Sequence, residues 1–293
     1  MIIHSKKFIP HPLAYFSQVR VFPSPLPEMF YTKICKEYEE IVDAVTSRII
    51  YKSDDLEVTG ISCFPTQTEN EKHPILIYNR GGNREYGSLT VLSVMRSMLP
   101  FAREGYLVYA SNYRGNDGGE GEDEFGGGDV NDVFNLLEIA KNNPAWDRKN
   151  IFILGHSRGG MMTYMMLRKN KTITAAISIA GVADLEKAGI ARPEMIEKVY
   201  RQTIPDYDKN PKQALLSRSA IYWADEIETP ILLLHGTADE AVDLSNSQKL
   251  AEKLSEYNKR HELVIYENGN HALLRHWDNV LEKSKNWCEN YKK

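Results

Sequence analysis

The chain has 293 residues and carries 36 Lys and Arg against 40 Asp and Glu, a formal net charge of −4. This near balance excludes nucleic acid and anionic membranes as main partners, because both demand a strongly basic surface. The length suits one large domain with an insertion. A small substrate is the expected partner.

The cysteines and the lengths of the apolar segments indicate whether the chain forms disulfides or spans a membrane. Cys35, Cys63 and Cys288 form no C-x-x-C pair and are odd in number, which predicts buried, reduced thiols and neither a disulfide framework nor a zinc site. Residues 1–10 do not resemble a signal peptide, and no window reaches the roughly 18 apolar residues of a membrane span. We therefore expect a cytoplasmic protein.

The predicted elements begin after a proline-rich stretch. Residues 1–47 are expected to be an extension packed on the domain, with a helix over 34–45. The runs 48–51 and 56–64 are rich in β-branched residues and predict a hairpin that turns at Asp54 and Asp55.

Six short apolar runs without alternation follow and predict strands buried on both faces of a sheet. They cover 75–78, 107–110, 151–154, 175–179, 231–234 and 263–266. Helical apolar spacing recurs between them, and alternating strands and helices predict a mostly parallel, doubly wound sheet of the α/β class.

One interval breaks this rhythm. Residues 184–225 separate two strands by far more than one crossover helix requires, and they carry apolar side chains such as Met195, Val199 and Trp223. We interpret the interval as a helical cap insertion near the active site, within a catalytic domain that spans 48–293.

The sequence Gly-His-Ser-Arg-Gly around Ser157 matches the G-x-S-x-G nucleophile motif. It follows the predicted strand 151–154 and opens an apolar helical run, which is the context that the motif requires. A sharp turn between strand and helix holds the serine in a strained conformation, so the flanking residues must be small. Ser157 is therefore the candidate nucleophile.

A serine needs a base, and in this chain order the base follows an acid. His271 lies in a loop after the last predicted strand, whereas His276 begins the C-terminal helix, so His271 is the candidate base. Asp239 lies after the strand 231–234 and is the candidate acid. Its rivals are Glu240 and Asp243, of which Asp243 is better placed to cap the next helix.

Two groups are candidates to stabilise an oxyanion. The backbone N–H of Arg158 begins the helix after the serine, where the helix dipole is positive. The second donor is expected from the loop 79–83, as the backbone N–H of Gly81 or a neighbour or as the side chain of Arg80. An ion pair with acids at the sheet end is the alternative role of Arg80. Both arginines would favour an anionic substrate.

The loop 114–128 mixes acidic residues with glycines and superficially resembles a cation-binding loop. It does not match the calcium-loop ligand pattern. We expect a flexible, solvated loop that leads into a helix at Asp129, and no metal site. A cation-regulated hydrolase is the alternative.

These residues, with N-Y-R-G at 112–115, G-G-G-D-V at 126–130, D-R at 147–148, T-P at 229–230 and H-G at 235–236, give the chain its resemblance to a family. From about residue 75 onward it resembles the catalytic domain of the prolyl oligopeptidase family of α/β-hydrolases. The resemblance implies an α/β-hydrolase fold and a serine peptidase or esterase without cofactor, with Ser157, Asp239 and His271 in the triad positions.

The chain departs from the family in two respects. Many relatives complete the oxyanion hole with a tyrosine hydroxyl, and Arg80 stands at that position here. The residues that precede the sheet are too few for the β-propeller that filters substrates in those peptidases.

We therefore expect a serine hydrolase of small esters or short peptides that acts through an acyl-enzyme. A strict oligopeptidase or aminopeptidase, an acyltransferase and a non-catalytic binding protein are the alternatives, and a homo-oligomer is left open.

Overall fold

The computed structural model describes residues 1–7, 44–66 and 71–293. Within these residues nine strands form one sheet in the order β1-β2-β3-β5-β4-β6-β7-β8-β9. The strands are β1 (Ile2–Lys7), β2 (Ala44–Ser53), β3 (Leu56–Pro65), β4 (His73–Asn79), β5 (Leu107–Ser111), β6 (Trp146–His156), β7 (Ala175–Ile179), β8 (Ile231–Gly236) and β9 (His261–Tyr266).

Apart from isolated 3-10 turns, eight helical segments accompany the sheet in the described residues, and two of them are composite. The first is α1 (Val91–Ser93, a π turn at Val94–Met98, and Leu99–Ala102). The others are α2 (Asp129–Lys141), α3 (Arg158–Lys169), α4 (Leu185–Ala191), α5 (Pro193–Met195, Ile196–Tyr200 and Arg201–Thr203), α6 (Pro211–Leu216), α7 (Ser245–Glu256) and α8 (Trp277–Tyr291).

The parallel part of the sheet confirms the prediction from the apolar runs. β5, β4, β6, β7, β8 and β9 are parallel neighbours, whereas β1, β2 and β3 join antiparallel. All seven residues of β4 and all five of β5 are buried. Because helices cover both faces, neither strand needs a polar side, and the alternation typical of a half-exposed strand is missing.

The helices divide the core into two layers, as in a doubly wound sheet. On one face, α2, α3 and α7 bury side chains such as Val133, Met162 and Leu250. On the other face, α1 and α8 bury Met98 and Val280. The carboxyl ends of the parallel strands therefore form an open edge between two packed layers, where loops are free to carry functional groups.

The N-terminal part differs in detail from the prediction. β2 and β3 form the predicted hairpin, with Asp54 in the left-handed region at φ 52°. β1 pairs with β2, so residues 2–7 extend the sheet. Of the helix predicted over 34–45, the last two residues are in β2 and the rest lies outside the described residues, as does Cys35.

The interval between β7 and β8 is helical. It contains α4, α5, α6 and three short 3-10 turns. Its Tyr200 ring lies 5.4 Å from that of Phe125, its Arg218 Nε donates to Phe125 O at 2.8 Å, and Arg84 Nη2 donates to Gln202 Oε1 at 2.9 Å. The insertion therefore packs on the loops at the carboxyl edge of the sheet.

The structure also describes two of the cysteines and indicates whether a described helix could cross a membrane. Cys63 and Cys288 are buried and free. Within the described ranges, no helix combines the length and apolar character needed to cross a bilayer.

Candidate active site

Ser157 occupies the turn between β6 and α3, with φ 58° and ψ −123°. Such a conformation is strained for a serine and persists only where the surroundings impose it. The flanking glycines explain how the turn closes. A Cβ on Gly155 would lie 2.1 Å from Gly159 O, and one on Gly159 would lie 1.9 Å from Asn79 O. Both positions therefore require glycine.

The main chain of the turn is anchored to the neighbouring strand and to the helix. Ser157 N–H donates to Ile179 O at 2.9 Å, and Gly160 N–H donates to Ser157 O at 2.9 Å. These bonds hold the strained residue at the carboxyl edge of the sheet.

Asp239 lies in the loop after β8 with its side chain fully buried. Its Oδ2 accepts from His271 Nδ1 at 2.8 Å, and its Oδ1 accepts from the N–H groups of Ala241 and Val242, each at 2.9 Å. Burial opposes the negative charge, but hydrogen bonds from His235 and His271 outweigh it and hold the pKa of Asp239 well below its usual value. Asp239 is therefore ionised.

The buried His235 also contacts the Asp239 carboxylate. Its Nε2 lies 2.8 Å from Val242 O and 3.2 Å from Asp239 Oδ2, and its Nδ1 lies 2.7 Å from Ser247 Oγ. Because both neighbours of Nε2 are acceptors, the proton of the neutral ring is on Nε2. The Ser247 hydroxyl therefore donates to Nδ1. His235 is therefore a further hydrogen-bond donor to the candidate acid.

His271 is brought close to the serine turn through His156. His156 Nε2 lies 3.0 Å from His271 O, and the two ring centroids are 4.8 Å apart. Because Asp239 holds Nδ1 of His271, Nε2 remains to accept a proton. Within the described part of the chain, Ser157 Oγ makes no hydrogen bond to His271, which is common in unliganded sites.

The Arg158 side chain does not face a substrate. Its guanidinium is buried, and it donates to Asp123 Oδ2 at 2.6 Å, to Asp123 Oδ1 at 2.7 Å and to Asp129 Oδ2. Burial disfavours the Asp123 charge, but Arg158 outweighs it and lowers the pKa of Asp123 to about 2. The expectation that Arg158 attracts an anionic substrate is therefore wrong, since two buried carboxylates already neutralise it.

The Arg80 side chain is occupied as well. It is 1% exposed, and burial followed by the nearby Arg158 lowers its pKa to about 10. All of its hydrogen bonds within the described residues go to main-chain oxygens, those of Asn112, Gly81, Tyr86 and Arg84. Arg80 therefore ties a loop together. Neither the side-chain oxyanion donor nor the ion pair with sheet-end acids is its role.

Gly81 lies directly against the serine turn. A Cβ on Gly81 would be 3.1 Å from Ser157 Cβ and 3.0 Å from His156 O. The backbone at position 81 thus approaches the serine turn closely enough to supply an N–H donor. Its role as a donor stays a prediction.

The acidic loop 114–128 is packed around Asp123 and Phe125, whereas Gly118 and residues 120–122 are exposed. Asp123 binds Arg158, Glu124 Oε2 accepts from Gly128 N–H at 2.6 Å, and Phe125 is buried. The expectation of a solvated loop therefore does not hold for the segment 123–126, where Asp123 pairs with the buried Arg158. Among the described residues, no three His, Cys, Asp or Glu side chains gather as metal ligands.

Two features of the site were missed in the sequence. One is His156, which holds the loop of the candidate base, and the other is the pairing of Arg158 with Asp123 and Asp129. The available signal for the second was an arginine directly before an apolar helical run, which must find an acid when that helix is buried.

A nine-stranded, mostly parallel sheet with a serine turn at its carboxyl edge defines an α/β-hydrolase. The family model described as the prolyl oligopeptidase family matches residues 92–293. The chain belongs to this family and is a serine hydrolase.

Curated relatives are peptidases by name. The "uncharacterized peptidase YtmA" of Bacillus subtilis is 28% identical over 253 residues, which are 86% of this chain and 90% of that protein. Dipeptidyl-peptidase 5 of Porphyromonas gingivalis is 26% identical over 227 residues, which are 74% of this chain and 33% of that protein. The chain thus spans most of the first relative and about a third of the second.

Solved structures share the fold. An acylaminoacyl peptidase of Pyrococcus horikoshii superposes with a TM-score of 0.75 at 23% identity, covering 90% of this chain and 44% of that one. An esterase of Pyrococcus furiosus superposes with a TM-score of 0.67 at 17% identity, covering 87% of this chain and 94% of that one. At these identities the two structures support the α/β-hydrolase fold alone.

Proposed function

We propose that Ser157, His271 and Asp239 act as nucleophile, base and acid in the hydrolysis of carboxyl esters and amides. The observation that carries the proposal is the 2.8 Å bond from His271 Nδ1 to the buried Asp239, on a loop held beside the strained serine. Asp239 fixes the tautomer that leaves Nε2 of His271 as an acceptor, and its charge stabilises the imidazolium.

The reaction proceeds in two halves. Nε2 of His271 takes the proton of Ser157 Oγ while Oγ attacks the substrate carbonyl, and His271 then gives that proton to the departing alcohol or amine. Water, deprotonated by His271 in the second half, attacks the acyl-enzyme, and Ser157 leaves with the proton returned to it.

The backbone N–H groups of Arg158 and Gly81 are the proposed oxyanion donors. Arg158 is the first residue of α3, where N–H groups have no partner within the helix. Gly81 supports the proposal by its approach to Ser157 Cβ. The side chain of Arg158 has a separate role. Its ion pairs with Asp123 and Asp129 fix the start of α3 and therefore the position of the backbone N–H.

We further propose a neutral acyl group as the preferred substrate. The guanidinium groups of Arg80 and Arg158 are taken up by carbonyls and carboxylates, so neither offers its charge to a ligand. Ester and peptide substrates both fit the chemistry, and the names of the relatives favour including short peptides.

The domain division and the cellular setting also stay proposals. Residues 48–293 are the proposed catalytic domain with the insertion 184–225 as its cap, and residues 1–47 are the proposed extension, of which β1 and the first residues of β2 add to the same sheet. The Arg84 to Gln202 bond and the Tyr200 to Phe125 contact support the placement of the cap over the edge loops. A cytoplasmic location agrees with free, buried thiols at Cys63 and Cys288, and a homo-oligomer stays open.

A substrate panel tests the proposed function. The panel contains p-nitrophenyl butyrate, its carboxylate-bearing counterpart mono-p-nitrophenyl succinate, aminoacyl p-nitroanilides and short peptides. We expect turnover in the wild type and in the control Ser255→Ala on α7, and loss of turnover in Ser157→Ala. Turnover that survives in Ser157→Ala would reject the nucleophile, and a tenfold preference for the succinate ester would reject the neutral acyl group.

A further inference from the structure

A cavity of about 160 Å³ lies on the face of the sheet that carries α1 and α8, at the carboxyl ends of β4, β6 and β7. Its wall includes Arg96 and Ser93 from α1, Trp277 from α8, and His156 from β6. The cavity adjoins the serine turn through His156, but none of the three proposed triad residues lines it.

Arg96 is the only charged side chain among the described residues that line the cavity. Within the described part of the chain, no carboxylate lies close enough to form an ion pair with it, and its guanidinium donates to one acceptor, Ala272 O. An arginine has five N–H donors, so most of them remain available to a ligand.

The surroundings hold Arg96 in place and add neutral polar groups. Its guanidinium stacks over the Trp277 ring at 3.9 Å from the ring centre, which fixes the side chain at the cavity wall. The hydroxyls of Ser93 and Ser97 are on the same side of α1 and line the cavity too. The one histidine among the described lining residues, His156, brings no charge, since burial and the neighbouring His271 lower its pKa to about 3.

The rest of the wall is largely apolar, with Thr90 and Tyr78 as its other polar side chains, and the cavity is partly open to solvent. Leu92, Leu154 and Ile179 line it beside the Trp277 ring. A cavity near 150 Å³ holds a ligand of about six non-hydrogen atoms, the size of benzene. A monocarboxylate with a short apolar chain fits this lining. Its carboxylate can bind Arg96, and its chain can pack against the aliphatic side chains.

We propose that this cavity is a binding site for short-chain monocarboxylates, with Arg96 as the group that binds the carboxylate. The site is separate from the proposed triad, so the proposal does not rest on the assignment of Ser157 as nucleophile.

Calorimetric titration of the full chain with butyrate, butyramide and inorganic phosphate tests the proposal. We expect butyrate to bind in the millimolar range that suits so small a ligand. Butyramide, which lacks the charge, should bind at least about tenfold more weakly, and so should butyrate to Arg96→Gln, because a charge-assisted bond is lost.

Arg148 offers a matched control. It too stacks on a tryptophan, 5.3 Å from the Trp146 ring centre, and donates to a main-chain oxygen, that of Lys141, but it lies away from the cavity. Arg148→Gln should bind butyrate as the wild type does. Leu92→Trp, which keeps Arg96 and fills the cavity, should weaken butyrate binding and decides the matter if Arg96→Gln fails to fold.

Four results would overturn the proposal. They are no butyrate binding by the wild type, equal binding of butyrate and butyramide, tighter binding of phosphate than of butyrate, and unchanged butyrate affinity in folded Arg96→Gln or, where that variant does not fold, in Leu92→Trp. If butyrate bound in the proposed active site as a reaction product, its affinity would be unchanged in these variants.

Discussion

His156 Nε2 lies 3.0 Å from the main-chain oxygen of His271, and the two imidazole rings are in contact. The residue before the candidate nucleophile thus holds the loop of the candidate base. Burial and the neighbouring His271 lower the pKa of His156 to about 3, so that its ring is neutral at physiological pH and the contact involves no charge.

Replacing His156 should therefore affect positioning. His156→Leu removes the donor to His271 O, and we expect kcat/KM for a p-nitrophenyl ester to fall about tenfold, mainly through kcat, since one hydrogen bond is lost. His156→Gln keeps an N–H donor and should retain more activity. Equal losses in both variants, or a change confined to KM, would contradict a positioning role.

Asp239→Asn tests the acid of the proposed triad. The amide removes the charge that stabilises the imidazolium and permits the wrong tautomer of His271, so we expect kcat to fall by about a thousandfold or more at pH 7. Asp243→Asn is the control, because Asp243 bonds to Ser245 N–H at the start of α7 and not to His271. A loss below tenfold in Asp239→Asn would argue against the triad.

Arg158→Met should destabilise the protein strongly. The change leaves Asp123 and Asp129 buried without a counter-charge, which costs about 3–5 kcal/mol of unfolding free energy in comparable cases. Arg48→Gln, which removes an exposed ion pair with Asp117, should cost about 1 kcal/mol or less. Urea unfolding monitored by circular dichroism measures both, and similar losses in the two variants would refute the role given to Arg158.

The depressed pKa of Asp123 predicts a pH dependence. With a folded pKa of about 2 and an unfolded value of about 3.9, the charged form stabilises the fold above the unfolded pKa, and this contribution is lost as the pH falls through the folded pKa.

Asp123→Asn lacks this contribution at every pH. The difference in unfolding free energy between wild type and this variant should therefore shrink by about 1 kcal/mol between pH 6 and pH 3. Denaturant titrations at both values measure it, and a difference that does not change with pH would show that Asp123 is not held ionised.

The sequence could predict the parts of the site that depend on local order. Ser157 is marked by a strand, two glycines and a helix within one short segment, and the acid and base follow two later strands. The parts that depend on contacts distant in sequence escaped. Arg158 reaches Asp123 and Asp129 from another element, and the occupation of Arg80 by loop carbonyls leaves no periodicity or spacing to detect.

The central claim is that Ser157 is an activated nucleophile, and covalent labelling tests it most directly. Intact-protein and peptide mass spectrometry after treatment with a fluorophosphonate should show one adduct on Ser157 in the wild type, much slower labelling in His271→Ala, and none in Ser157→Ala. A wild-type protein that stays unlabelled, or labelling that persists unchanged in Ser157→Ala, would contradict the account.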